Sequence, residues 1–378
     1  MKLMIRPASF VFALTLLLSA CGGGGGGGGS NPGGGNTGDL NVGGAGLSLN
    51  EFVDATGAPV SVNFSSAVDI NNANEVVGYV EASPGQPFAA GLWTVNATGA
   101  ATAAPTALSA LAGNTFSAAF AIDEDGNAVG QSAKGAQRVA VRWPFASGAP
   151  EELPALAAGG NSTAFNVSGD GGLIVGEAQD ASGRTRAVIW MADAQGTFSA
   201  PPSVLPVNIF AVDQVLSTFS SAGGVARVGS EIWVAGEALD GTGRLHAALW
   251  RSADQTTFSA TDLADTAEIE SAAYAVNANG LIVGEAEVPA GLVPVQWSAD
   301  GQGGFQRTSL AAAGSAAAVN LDNRTAGWSG TPSTATVWDL TVGEMLFATE
   351  SWAYNLNDAL QPLVVGRNGS YGFIKRVD

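Results

Sequence analysis

The sequence predicts an all-β protein, a seven-bladed β-propeller, and three observations carry that prediction. A Gly after a short apolar run recurs at Gly78, Gly130, Gly176, Gly236, Gly284, Gly327 and Gly366. A Trp follows about a dozen residues later, at Trp93, Trp143, Trp190, Trp250, Trp297 and Trp338, with Phe373 near that place in the last copy. The 378-residue chain is Gly-rich, with 52 glycines, and only 13% charged, a composition of short strands and tight turns. A repeat of about 48 residues belongs to a propeller or a solenoid array.

Each unit divides into four strands, a to d. Strand a is built of small residues, as in Ser66–Ile70, Ala118–Ile122 and 316–319. Strand b ends at the recurrent Gly, strand c ends at the Trp, and strand d is a short stretch centred on Leu, as at 107–111, 152–156, 203–207 and 261–263. Asn, Asp and Gly between strands a and b supply the positive φ angles of tight hairpins. The last unit has no strand d, and Leu47–Phe52 is an orphan strand ahead of the first unit. Pairing of 47–52 with 372–374 closes the ring and hides both sheet edges. In such a ring strand a lies innermost, where Ala fits, and the Trp fills the space between blades, burying about 150–250 Å² each.

The N-terminus is a targeting segment. Lys2 and Arg6 precede an apolar stretch from Phe10 to Leu18 that is too short to span a bilayer. Leu18-Ser19-Ala20-Cys21 resembles the lipobox of bacterial lipoproteins, which implies cleavage before Cys21 and lipidation of that residue, the chain's one cysteine. Residues 1–20 are then a signal peptide, and residues 21–46 a Gly-rich flexible tether reaching on the order of 25–30 Å. Residues 47–378 are the propeller. Gly22 in place of the Asp that retains lipoproteins in the inner membrane implies the outer membrane, on its periplasmic or exposed side. Residues 1–20 hold two basic and no acidic residues, which leaves 13 Lys+Arg against 33 Asp+Glu and a net charge of −20. That surface repels nucleic acid.

The units resemble those of the extracellular HAF-repeat family, read as I-N-x-x-G-x-V-V-G followed by H-A-F-L-W. Ile70-Asn71 through Val76-Val77-Gly78 and Val276-Asn277 through Ile282-Val283-Gly284 match the first half. His246-Ala247-Ala248-Leu249-Trp250 matches the second. The resemblance implies a secreted or surface protein and transfers no catalytic residue.

Where chemistry could sit is read from the residues the repeat leaves free. The position after the recurrent Gly runs Tyr79, Gln131, Glu177, Glu237, Glu285, Trp328, Arg367. Three adjacent blades therefore carry Glu there. If the b–c hairpins are symmetric, Glu177 faces Arg186 and Glu237 faces His246. With Glu285 and Arg244 these make the candidate binding face, beside the b–c and d–a loops. His246 is the single histidine, so Ser-His-Asp chemistry has nowhere else to sit. Asp123, Asp125 and Asn127 resemble half a calcium loop, but its twelfth position is Lys134; no other cofactor is indicated. The resulting expectation is a non-catalytic binding or adhesion module, anchored by lipid, with a protein or glycan partner. The alternatives are a periplasmic scaffold for outer-membrane assembly and a glycoside hydrolase using a carboxylate pair.

Overall fold

The repeat becomes a ring because each unit can bury its apolar faces only against its neighbours. A computed structural model describes residues 47–48, 51–53, 59–102, 105–208, 217–339, 342–347 and 350–377. The chain divides into residues 1–45 and 46–378. The expected signal peptide, Cys21 and the expected tether to residue 46 lie outside the described residues.

Seven antiparallel four-stranded sheets follow one another at 64–108, 116–152, 162–204, 220–262, 270–309, 314–345 and 351–376. The seventh takes its fourth strand from the other end of the chain, Leu47 opposite Ile374 and Ser48 opposite Phe373. Ring closure by an N-terminal strand is therefore present, but shorter than expected. Glu51–Val53 turns away and pairs with Pro59–Ser61 as a separate hairpin. The outer strands are likewise short, two residues at Glu151–Glu152 and Ser203–Val204.

The recurrent Gly has one structural cause in all seven blades. Each stands opposite an Ala of strand a: Ala67, Ala119, Ala164, Ala222, Ala273, Ala316 and Ala353. A Cβ on the Gly would collide with the carbonyl of the residue before that Ala. Directly after the Ala the register shifts by one residue in every blade, a β-bulge. Bulges sharpen twist and bend a strand, which suits the crowded inner edge of a propeller.

Packing between blades rests on the Trp column. All six are at most 2% exposed. The indole N–H donates across the junction to a carbonyl one or two residues past the preceding blade's outer strand: Trp143 to Ser109 O at 2.8 Å, Trp190 to Pro154 O at 2.8 Å, Trp250 to Pro206 O at 2.7 Å and Trp297 to Leu263 O at 3.0 Å. In the last blade Lys375 stands at the Trp position, opposite Val364, and Phe373, two residues earlier and opposite Gly366, meets Phe347 next to blade 6 edge to face at 4.7 Å.

A second column joins the blades through polar atoms. Two residues before the strand-a Ala stands a Ser, whose Oγ accepts the backbone N–H of strand c in the preceding blade. The donors are Ala90 to Ser117 and Ala140 to Ser162, each at 2.9 Å, Ala187 to Ser220 at 2.9 Å, Ala247 to Ser271 at 3.1 Å, Ala335 to Ser351 at 3.0 Å and Gly372 to Ser65 at 2.8 Å. Between blades 5 and 6 the donor position is Pro294 and the acceptor position is Gly314.

Candidate ligand site

The residue after each recurrent Gly faces, across the strand pair, the residue between the Ser and the Ala of strand a. The pairs are Tyr79 with Ser66, Gln131 with Ala118, Glu177 with Thr163, Glu237 with Ser221, Glu285 with Ala272, Trp328 with Ser315 and Arg367 with Trp352. Small residues fill the inner position in six blades. The outer position is free to vary, and the result is a belt of large, mostly polar side chains near the end where strands b and c join.

The belt has two unlike arcs. Around blades 7, 1 and 2 it is aromatic. Tyr79 packs with Phe88 at 5.2 Å, Phe64 at 6.1 Å and Phe120 at 6.5 Å, and the Arg367 guanidinium lies 4.5 Å over the Trp352 ring. Burial pushes the Tyr79 hydroxyl far up and that of Tyr354 to about 12. Blades 3 to 5 supply the carboxylates Glu177, Glu237 and Glu285, all buried. Burial raises the Glu177 carboxyl to about 7, with Arg138 pulling the other way. Burial also lowers Arg138, which Glu177 holds up. At the boundary Gln131 accepts from Thr163 Oγ1 at 3.3 Å, while its buried Nε2 has no partner.

This arrangement corrects the expected pairing. Glu177 stands opposite Ala187 and Glu237 opposite Ala247, whereas Arg186 and His246 stand opposite Ala178 and Ala238. The cause is the hairpin turn. Asp180 Oδ1 accepts the N–H of Ser182 at 2.9 Å and of Arg184 at 3.0 Å, and Asp240 Oδ1 does the same for Thr242 and Arg244. Each Asp thereby closes a five-residue turn, with Gly183 and Gly243 at φ 78° and 87°. The three carboxylates are thus buried in the sheets, while Arg186 and His246 stand at the start of strand c beside the turns and Arg244 lies in a turn. Arg186 pairs with Asp180 at 3.0 Å. Arg244 donates Nε to Ile269 O at 3.0 Å. His246 lies between Asp262, at 2.8 Å from Nδ1, and Asp240, at 3.3 Å from Nε2. The hydrogen bond to Asp262 raises its pKa.

Asp123, Asp125 and Asn127 form an a–b turn. Asp123 Oδ1 accepts the N–H of Asp125 and Asn127, and Oδ2 accepts Asn127 Nδ2 at 2.8 Å. Among the described residues no group of three or more His, Cys, Asp or Glu side chains is arranged to hold a metal ion.

Sequence reasoning missed Arg138, Trp352 and Asp69. Trp352 could have been found, because it is the one bulky residue in a column of Ser, Ala and Thr. Asp69 sits directly after the bulged residue of blade 1. It accepts the Ile122 N–H of blade 2 at 2.8 Å and the Asn355 side-chain amide of blade 7.

No protein-family model matches the chain, and no curated protein is similar to it in sequence. Solved structures do resemble it. The β-propeller domain of the Trilobed protease from Pyrococcus furiosus superposes with a TM-score of 0.53 at 8% identity, over 83% of this chain and 94% of that one. A puromycin-hydrolyzing peptidase of Mycobacterium tuberculosis gives 0.54 at 14% identity, over 89% of this chain and 54% of that one. The acylaminoacyl peptidase of Pyrococcus horikoshii gives 0.53 at 10% identity, over 84% and 52%. The chain spans about half the length of those two peptidases. The expectation that the protein is not an enzyme is corrected by these neighbours: the architecture occurs in peptidases, so it gives no ground for excluding catalysis. At these identities the likeness establishes the architecture alone, that of a seven-bladed β-propeller.

Proposed function

We propose that the chain is a cell-envelope propeller of HAF-like repeats, anchored through a lipid on Cys21, that binds a polar ligand of a protein or glycan partner at the belt following the recurrent glycines. One observation carries this reading. The repeat holds Gly and Ala constant to build the blade, yet the adjacent position takes seven residues of five kinds, with three buried carboxylates together on one arc and packed aromatic rings on the other. Aromatic faces beside acceptor groups suit a ligand with both apolar faces and hydroxyl or amino groups.

A second reading follows from Glu177. A carboxyl held near 7 is protonated in an appreciable fraction of molecules at neutral pH, the state a general acid needs. Glu237 and Glu285 are then the carboxylates with which it would act.

The test is binding by the wild-type protein and by Glu177→Gln and Glu237→Gln, read on glycan and peptide arrays with melting temperatures measured alongside. A ligand held by the wild type and lost by variants of unchanged stability is the expected outcome. Equal binding by the variants removes the belt as the site. Turnover of a captured glycan or peptide that disappears in Glu177→Gln would favour the second reading.

A further inference from the structure

Blade 4 departs from its siblings at the opposite end, where strands a and b join. Its inner hairpin runs Ser220–Val228 and Glu231–Leu239, nine residues per strand, against six or seven in the others. The extension brings two unusual residues side by side. Trp233 occupies the position held elsewhere by Glu75, Asn127, Leu173, Leu281, Arg324 and Leu363, and Arg251 stands opposite it where the other blades have Thr94, Pro144, Met191, Ser298, Asp339 and Arg376, so only blade 4 sets a Trp against an Arg there. Neither is required by the repeat.

With Phe305 of the next blade they form a cluster, and Arg251 reaches from it to a cavity in blade 4. The Arg251 guanidinium lies 5.6 Å from the Trp233 ring and 5.9 Å from that of Phe305 in blade 5, and the two rings meet edge to face at 5.8 Å. Arg251 lines a cavity of about 360 Å³ with Glu231, Asp254, Thr257 and Ser259. Its guanidinium has no hydrogen bond or ion pair among the described residues, and its Nε is buried. Both neighbouring acids are engaged elsewhere. Glu231 accepts Trp233 Nε1 at 2.8 Å, and Asp254 accepts the N–H of Thr256 and Thr257 and the hydroxyl of Ser252. In a chain with 33 acidic and 15 basic residues, acids are the easiest partners to supply. Arg142, Arg186, Arg227 and Arg307 each have one.

We propose that this pocket is a second binding site, which takes the carboxylate of a ligand on Arg251. A guanidinium lying beside two rings is restrained by them, and its fork of donors matches the two oxygens of a carboxylate. Trp233 and Phe305 restrain the fork, while Thr257 and Ser259 supply hydroxyls to the rest of the ligand. The carboxylate can come from a peptide C-terminus or from an acidic sugar.

The probes are N-acetyl-dialanine with its C-terminal amide as control, and galacturonate with its methyl ester as control. The readout is the ¹⁵N-labelled indole spectrum of the full chain, in which Trp233 reports the site and the other eight tryptophans report the fold. The expected result is a saturable shift of the Trp233 signal at millimolar acid, absent with amide and ester, and lost in Arg251→Gln while the other indole signals stay in place. Arg251→Lys keeps the charge without the fork and binds on the order of tenfold more weakly. The stronger of the two acids identifies the source. A shift of equal size with the neutral controls, an undiminished shift in Arg251→Gln, or no Trp233 shift with either acid would overturn the proposal.

Discussion

The junction between blades 7 and 1 and the junction between blades 5 and 6 use the same repeat in opposite ways. At the first, the chain's two ends meet and polar bonds accumulate. Ser65 Oγ takes the Gly372 N–H, Asp69 takes the Asn355 amide, Asn357 Nδ2 donates to Asn74 Oδ1 at 3.1 Å, and Asn72 and Asp358 bond each other twice. At the second, Pro294 has no N–H to give and Gly314 no hydroxyl to receive it. Positions equivalent to Asp69 and Asn355 are Ala275 and Ala318. What remains is apolar packing of Val283, Leu310, Ala316 and Trp338, with turn contacts such as Asn277 Nδ2 to Asn320 O at 2.7 Å. Donor and acceptor vanish together at this one junction, whereas the other five junctions across which the chain runs on keep both. Bonds gather where no such connection holds the blades. A buried polar group is costly only when its partner is missing, so the ring tolerates a junction without the bond but not half of one.

The largest expected effect comes from the polar side of this contrast. Asp69 is buried, and burial raises its carboxyl from 3.8 to about 7 against the pull of the Ile122 and Ile70 amides. The folded state therefore holds a proton between about pH 4 and 7 that the unfolded chain releases, so stability is greatest below the unfolded value and falls as pH rises through the folded one. At about 1.4 kcal/mol per pKa unit the loss is on the order of 4 kcal/mol. Glu177 and His246, also raised, contribute with the same sign. Melting temperature should fall from pH 4 to 8, and Asp69→Asn should make that slope shallower. A variant with the wild-type slope would show that Asp69 does not titrate in this window.

Removing one Ser comes next. Ser162→Ala strands the Ala140 N–H in a buried junction, at a cost of about 1–3 kcal/mol, and chemical denaturation should show the same for Ser220→Ala. Because the two Ser sit in different junctions, their effects should add within about 0.5 kcal/mol. A loss near zero for both would mean that water replaces the hydroxyl, and the contrast with the bare junction would lose its energetic meaning.

Much of this was legible in the sequence because the repeat imposes it. Gly78 to Gly366 and Trp93 to Trp338 each answer to a close approach or a gap that is the same in every blade, so residue identity is fixed and visible. Leu47 was legible as the missing fourth strand for the same reason. The site was less so. Placing Glu177 opposite Arg186 assumed a symmetric hairpin, and the Asp180 turn shifts the register by one. Such a shift turns every side chain to the other face of the sheet, so Glu177 faces Ala187 and Arg186 pairs instead with Asp180 of the turn. Arg138 influences Glu177 from the preceding blade, a relation between blades that spacing along the chain does not encode. The Ser column was in plain view as Ser-x-Ala in six of the seven copies. It went unread because small residues in strand a were already explained by crowding.

Pro294→Ala is the smallest perturbation and bears most directly on the comparison. Replacing Pro in a strand usually restores a backbone donor, and at the six other junctions that donor is what the Ser receives. Here it would meet Gly314, which offers no acceptor, in a buried setting. Gly314 cannot be changed to supply one, since φ there is 142° and a Cβ would strike the Trp328 carbonyl. The variant should therefore be less stable by about 1 kcal/mol, from the orphaned N–H and the added freedom of the unfolded chain. These two contributions separate on comparison with Ala140→Pro, which removes a donor that does have an acceptor. If the junction explanation holds, both substitutions destabilise, although one adds the N–H and the other removes it. If Pro294→Ala is neutral or stabilising, Pro294 is incidental, and the paired absence at the fifth junction reflects drift in one blade rather than a rule about buried donors.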